Sequence, residues 1–432
     1  MPPVKVTLVG AGSAFTFSVV ADMALRPGLA GSTIALVDTD SEALDLSARI
    51  ASRIVRAADA DLTIESTTDR TAVLAGSDFV LNSISVGEPW ARERDVAIGE
   101  DYGLFQPTSQ TVGPAGFMRG LRVIPHAAAI ARDVASLCPA ATVLNLANPM
   151  APVCRAMVRG AGVRVVGLCE AWKVSLPVLA RALAVPAEEL DLISVGTNHL
   201  GWAVALYDNG HDVLPEALQR LHLPENRALL DSLPVARDVY AAYGSWPTGS
   251  EDHIAEWFPY FLTRETHGGA DYGLKTRHVT MAQAEQRLAE RRAMAGGEKA
   301  IDHLLAPSGE SAVEIIAGVS GIEAPSCHTV NLPNQGLVDG VPSHAIVELP
   351  AYVSAGQVRG LKAGPLPTAV TALLNTRVAQ QELMVDAALT GDRRAALAGL
   401  LMDAQVTDLR AARETLDRSL GANAEWLSNF AR

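Results

Sequence analysis

Residues 4–15 read VKVTLVGAGSAF, and the helix-spaced run TFSVVADMAL follows at 16–25. An apolar, β-branched strand, a glycine turn and a helix in direct succession predict the opening of a parallel α/β sheet. Gly10 permits the tight turn and Gly12 lets the backbone approach a pyrophosphate. Ser13, Ala14 and Phe15 lead into the new helix, whose first N–H groups favour phosphate charge. Phe15 replaces the usual third glycine, so the fingerprint is the imperfect G-x-G-x-x-F. The next strand, STIALVDTD (32–40), ends in Asp38, near the distance of about 20 residues at which an acid meets the adenosine ribose. An acid there repels a 2′-phosphate and favours NAD over NADP. Asp40 serves equally if the turn is shifted.

Outward from this unit, DFVLNSISV (78–86) and ATVLNLANPM (141–150) read as further strands alternating with helical segments such as 119–137. The βαβα alternation predicts a doubly wound, Rossmann-like parallel sheet. Ligands gather at the carboxyl ends of such strands. Asn82, Ser83, Asn145 and Asn148 sit near such ends and are therefore candidate ligand contacts, the first three toward the cofactor, although polar residues there are often turn formers.

The chain has 432 residues, 49% apolar and 19% charged, with a formal net charge of −13. That length predicts two lobes, placed at 1–196 and 197–432. The acidic balance excludes nucleic acid and anionic membranes as main partners, yet leaves a small anionic substrate open. No stretch approaches the roughly 18 apolar residues of a membrane span, and no leader precedes the first strand, so a cytoplasmic location is expected. Four scattered cysteines predict no disulfide framework.

Two strands end on metal-binding residue types. RVVGLCEAW (164–172) delivers Cys169 with Glu170 behind it, and LDLISVGTN (190–198) delivers His199. A thiolate and an imidazole hold a first-row divalent metal and leave coordination positions for substrate oxygens. Singly, each reads equally well as a buried thiol or a satisfied strand-end histidine.

The ordered strings VTLVGAGSAF, LVDTD, TVGPAGFMRGLRVIP, NLANPM, GLCEAW, GTNHLGW, HIAEWFPYF and VNLPNQGLVDGVPSHAIVELP run through nearly the whole chain. Together they resemble glycoside hydrolase family 4, the NAD- and divalent-metal-dependent glycosidases. The resemblance implies a lactate/malate-dehydrogenase-like fold whose second, α+β lobe builds the substrate pocket and a homodimer or homotetramer interface. It implies a small glycoside as substrate, with NAD at the glycine turn and Asp38. Mn²⁺ or a similar metal would sit on Cys169 and His199, with Asn148 beside the metal and the sugar hydroxyls. Arg94 in ARERDVAIGEDYGL matches a family arginine near the substrate, and Gln110 and Thr111 follow it.

In the family's scheme NAD⁺ takes hydride from C3 of the sugar. The metal then acidifies the C2 proton, a base removes it, and the glycosidic oxygen is eliminated. Water adds and the hydride returns, outside the usual two-carboxylate route. Glu170 departs from the family's usual aspartate, asparagine or histidine. It suits a general acid, a sugar-hydroxyl contact or a helix cap. WPTGSEDHIAEWFPYF (246–261) offers Asp252 and Tyr260 as C2 base, with His253 toward the substrate. THGGADYG (266–273), with His267, Asp271 and Tyr272, reads as a loop over the site, and Lys275, Arg277 and His278 as cations for an anionic sugar. AEQRLAERRAMAGGEKA (284–300) reads as a solvated helix face. The enzyme alternative is a 2-hydroxy-acid dehydrogenase of the lactate/malate type, which leaves Cys169 and His199 without roles.

Overall fold

The computed structural model describes residues 3–275 and 279–430. Six parallel strands, β1 (Lys5–Val9), β2 (Ser32–Val37), β3 (Leu62–Thr67), β4 (Phe79–Asn82), β5 (Thr142–Asn145) and β6 (Arg164–Gly167), lie in the order 3-2-1-4-5-6. This is the doubly wound arrangement expected from the opening motif. Its period of two is visible in β1: Val6 and Leu8 pack under the helices α1 (Phe15–Ala24) and α2 (Ser41–Ala57), while Val9 joins the opposite core. Asp40 starts α2, accepting from the N–H groups of Glu42 and Ala43 at 3.0 and 3.1 Å.

The sheet does not end at β6. The strand Ser326–Pro333 runs antiparallel beside β6, joined through the single pairing Asn331↔Gly167. It pairs along its whole length with the strand Ile346–Ser354, which meets β7 (Leu190–Thr197) only at Glu348↔Gly196. Strand β8 (Leu200–Asp208) closes a hairpin with β7. The change from parallel to antiparallel architecture therefore falls after β6. β7 belongs to the second half, ahead of the expected division at 197.

On one face the helices Gly113–Leu137 and Met150–Ala161 share a core with the C-terminal helices Thr368–Thr390, Arg393–Leu401 and Leu409–Ala422. The second half has its own core around Trp202, Trp246, Trp257 and Phe258. The charged run 284–300 presents the expected solvated face and also has a docked side. The helix Met281–Gly296 is docked on α2: Arg49 donates to the Ala295 carbonyl at 3.1 Å, Arg53 to that of Met294, and Arg292 pairs with Glu42 at 2.6 Å. Met294 and Ala295 are buried. Charge alternation hid this because the docking face is held by guanidiniums as much as by apolar side chains. No helix among the described residues is long and apolar enough to cross a membrane.

Candidate active site

At the first turn, Gly10 has φ +91° and a Cβ there would lie 2.8 Å from the Ile84 nitrogen, so only glycine fits. A Cβ on Gly12 would meet Asp38 Oδ2 at 3.0 Å. Asp38 accepts from the N–H of Gly12 at 2.7 Å and from that of Asp40 at 3.0 Å, so it stands directly behind the turn. Asp40 is committed to capping α2 and the shifted alternative closes. Phe15 is partly exposed while Thr16 and Phe17 turn inward, which is why a third glycine is unnecessary. Ser83 Oγ donates to the Gly10 carbonyl at 3.0 Å. Asn82 donates to Asn145 at 2.7 Å, and Asn145 to the Ala147 carbonyl at 3.0 Å, so these two shape the strand ends. Asn82 Oδ1 keeps a buried lone pair without a hydrogen-bond partner.

The other end lies at the seam. Cys169 follows β6 by two residues, and His199 is the second residue of the two-residue β7–β8 turn, with φ +69°. A non-glycine residue in that region costs of order 1 kcal/mol and persists only where its surroundings hold it. Thr111 Oγ1 lies 2.9 Å from His199 Nδ1 and fixes the ring. The loop carrying Thr111 is anchored in turn by Glu256, which accepts from the N–H groups of Thr108 and Ser109 at 2.7 and 2.8 Å.

The buried Asn198 amide lies near both the Cys169 thiol and the Glu348 carboxyl, and its Nδ2 and Oδ1 have no hydrogen-bond partner. Asn331 Nδ2 donates to Glu348 at 3.2 Å. Burial, reinforced by the negative charges of Glu348 and Glu170, pushes the Cys169 thiol up to about 12. Burial holds His199 well below its ordinary value, aided by His253 and Arg119. Burial likewise pushes Glu348 up to about 8, so it is a neutral acid at neutral pH. Asn148 Oδ1 is buried without a hydrogen-bond partner. Among the described residues no three His, Cys, Asp or Glu side chains form a metal-binding group.

Between the two ends is a cleft of about 280 Å³, lined by Ser85, Glu88, Arg92, Arg119, Arg287 and Arg291 among others. Glu88 pairs with Arg92 at 2.8 Å and stands 3.8 Å from Arg119. The Nε and Nη1 atoms of Arg119 are buried without hydrogen-bond partners. Burial lowers the Arg119 guanidinium to about 10, with Glu88 opposing and Arg92 and Arg122 adding to the fall.

Arg94 is not in this cleft. It donates to the Ala422 carbonyl at 3.0 Å and lies over the Trp426 ring. Arg92 and Arg94 are two residues apart on the helix Trp90–Asp101, about 200° around its axis, and Arg92 is the one facing inward. That spacing was available in the sequence; which arginine faced inward was not.

Glu170 accepts from the Ser311 N–H at 3.2 Å, just ahead of the helix Ala312–Val319, and pairs with Lys173 at 2.8 Å. It faces that helix start rather than the helix that follows it in sequence. His253 lies with its ring centroid 4.1 Å from that of His199, and its Nδ1 is 2.5 Å from Ser250 Oγ. Asp252 is buried and lines a separate cavity of about 680 Å³ with Asp271, Tyr272 and Lys275. Tyr260 is 61% exposed within an aromatic cluster and does not line either cavity, because Phe258 and Phe261 take the inward positions beside it. Arg277 and His278 lie outside the described residues. Asn198, Asn331 and Glu348 were not singled out by the sequence reading; their strings, GTNHLGW and VNLPNQGLVDGVPSHAIVELP, carried them unremarked.

Residues 5–185 match the family 4 glycosyl hydrolase model and residues 194–406 that family's C-terminal domain. An alpha-galactosidase of Bacillus subtilis is 28% identical over 99% of both chains, and an alpha-galacturonidase of the same organism 30% identical over 93% of both. The crystal structure of LplD from Bacillus subtilis, described as a glucosidase, superposes with a TM-score of 0.86 at 27% identity, covering 97% of this chain and 100% of that one. A 6-phospho-alpha-glucosidase from gut microorganisms, solved with NAD and Mn²⁺, superposes at 0.82 with 22% identity, covering 98% and 99%.

Proposed function

The chain belongs to the family 4 glycosyl hydrolases, and from that premise we propose that it cleaves a glycoside of an anionic sugar with the help of NAD and a divalent metal such as Mn²⁺. The observation that supports this reading is that Cys169 lies near Asn198, the neighbour of His199 in the β7–β8 turn, while a cleft lined by Arg92, Arg119, Arg287 and Arg291 reaches the Gly10–Asp38 turn. The turn fits a dinucleotide, since a side chain on Gly10 or Gly12 would fill the space against Ser83, Ile84 and Asp38. The donor pair fits a first-row divalent metal. When bound, NAD supplies a reversible hydride acceptor and the metal a Lewis acid for the sugar's C2 and C3 oxygens.

The remaining work belongs to side chains. Cys169 and His199 hold the metal, Thr111 orients the imidazole, and the unmet Asn148 oxygen accepts from a sugar hydroxyl. His253, beside His199 and oriented by Ser250, is the best-placed group in its segment to take the C2 proton, ahead of Asp252 and Tyr260. Glu170 acts chiefly by bracing the strand end against the Ala312–Val319 helix. Arg92 and Arg119 against Glu88 leave one net positive charge at the sugar end. One carboxylate matches that charge better than a phosphate of about −1.5 to −2. The alpha-galacturonidase relative agrees with a uronide.

The test is a panel of nitrophenyl galacturonides, glucuronides, galactosides, glucosides and 6-phosphates on protein stripped of bound cofactor. Aglycone release should require both NAD⁺ and Mn²⁺ and be greatest on a uronide. Release indifferent to both additions would refute the cofactor reading, and preference for a neutral or phosphorylated sugar would refute the uronide.

A further inference from the structure

The Met281–Gly296 helix brings two guanidiniums into the cleft, one of them to its cofactor end. Arg287 and Arg291 are four residues apart and so share a helix face, and both line the cavity. Arg291 donates to the Gly12 carbonyl, within the glycine turn itself, and lies 5.5 Å over the Phe17 ring. Neither arginine pairs with a carboxylate among the described residues. Like charges at this spacing repel and destabilise a helix. Arg291 also reaches the turn that leads into the positive N-terminal end of α1. Together with that helix start the two arginines favour an anion in the cleft, where the one lining carboxylate, Glu88, already pairs with Arg92.

Resting on the reading that NAD binds at this turn, we propose that Arg287 and Arg291 clasp the dinucleotide's pyrophosphate against the start of α1. The second half of the chain thereby completes the cofactor site. Two guanidiniums match the two negative charges of a pyrophosphate. The position of Arg291 favours the cofactor over the sugar as its ligand. Arg291 touches the turn and feels the charge of Asp38, whereas the arginine whose charge reaches His199 is Arg119. The helix is held in place independently, by Arg49, Arg53 and the Arg292–Glu42 pair on α2, so loss of either arginine leaves it docked.

The test is binding, not turnover. NAD and ADP-ribose are titrated calorimetrically into stripped protein, and adenosine is followed by ligand-observed NMR. Arg287→Gln, whose side chain is exposed and whose loss leaves folding intact, should weaken NAD and ADP-ribose about tenfold, and the double variant with Arg291→Gln about a hundredfold. Adenosine should bind all forms equally, and Arg291→Lys should recover part of the loss. NAD binding untouched by the double variant, or adenosine lost in parallel with NAD, overturns the clasp. A parent protein that binds no NAD overturns the cofactor reading beneath it.

Discussion

Cys169 is a poor thiolate by itself. With its thiol raised to about 12, it carries its proton throughout the neutral range. His199, held well below its ordinary value, carries none. Metal binding must therefore displace one proton from the pair, and affinity should rise about tenfold per pH unit. Mn²⁺ titrations at pH 6.5–8 in a Glu348→Gln background, where the neighbouring carboxyl no longer titrates, should give a slope of one. A slope of zero or two would contradict the ligand pair.

Thr111→Val removes the hydroxyl 2.9 Å from His199 Nδ1 and should weaken Mn²⁺ by about 10–100-fold at unchanged thermal stability. Glu348 gives the stability counterpart. Its folded value of about 8 lies above the unfolded value of 4.5, so its contribution is complete below pH 4.5 and is lost as pH rises toward 8. In metal-free protein, Glu348→Gln should gain on the parent by at least about 1 kcal/mol across that window, read from urea midpoints. Parallel pH profiles would show that Glu348 ionises normally. The cysteine and histidine were visible as strand-ending residues. Their partners were not, because Asn198, Asn331 and Glu348 converge only through strand pairing between distant segments.

At the scale of elements, the glycine turn was the most legible part, since strand, turn, helix and acid follow one another within 40 residues. Even so, the two aspartates of LVDTD could not be assigned by spacing. Geometry gives Asp38 to the turn and Asp40 to the α2 cap. Asp40→Ala should cost about 1 kcal/mol of stability and leave NAD affinity intact. Asp38→Ala should weaken NAD by tenfold or more, measured in the same calorimeter. Equal effects on NAD would return the assignment to ambiguity. The Met281–Gly296 helix was the least legible element. Its own charges suggested solvent, and the guanidiniums that hold its end carbonyls, Arg49 and Arg53, belong to α2.

At the scale of the molecule, composition and motif order suggested two lobes, yet the sheet passes through both without a break. Its seam consists of the single pairings Asn331↔Gly167 and Glu348↔Gly196, and Asn331 donates to Glu348, which lies near Cys169. The N-terminal half also borrows its cover: Met384, Val385, Leu416 and Leu420 from the C-terminal helices lie in the same core as Val123, Ile124 and Val143. A fragment ending at residue 196 would expose that core face and leave β6 as an unpaired edge, two conditions that favour association over folding. The fragment should therefore be insoluble or molten, while the full chain unfolds in one transition with its far-ultraviolet and near-ultraviolet signals coincident. A fragment that folds cooperatively and binds NAD with the parent's affinity would show the first lobe to be self-sufficient. It would also remove any need for the second half in holding the cofactor.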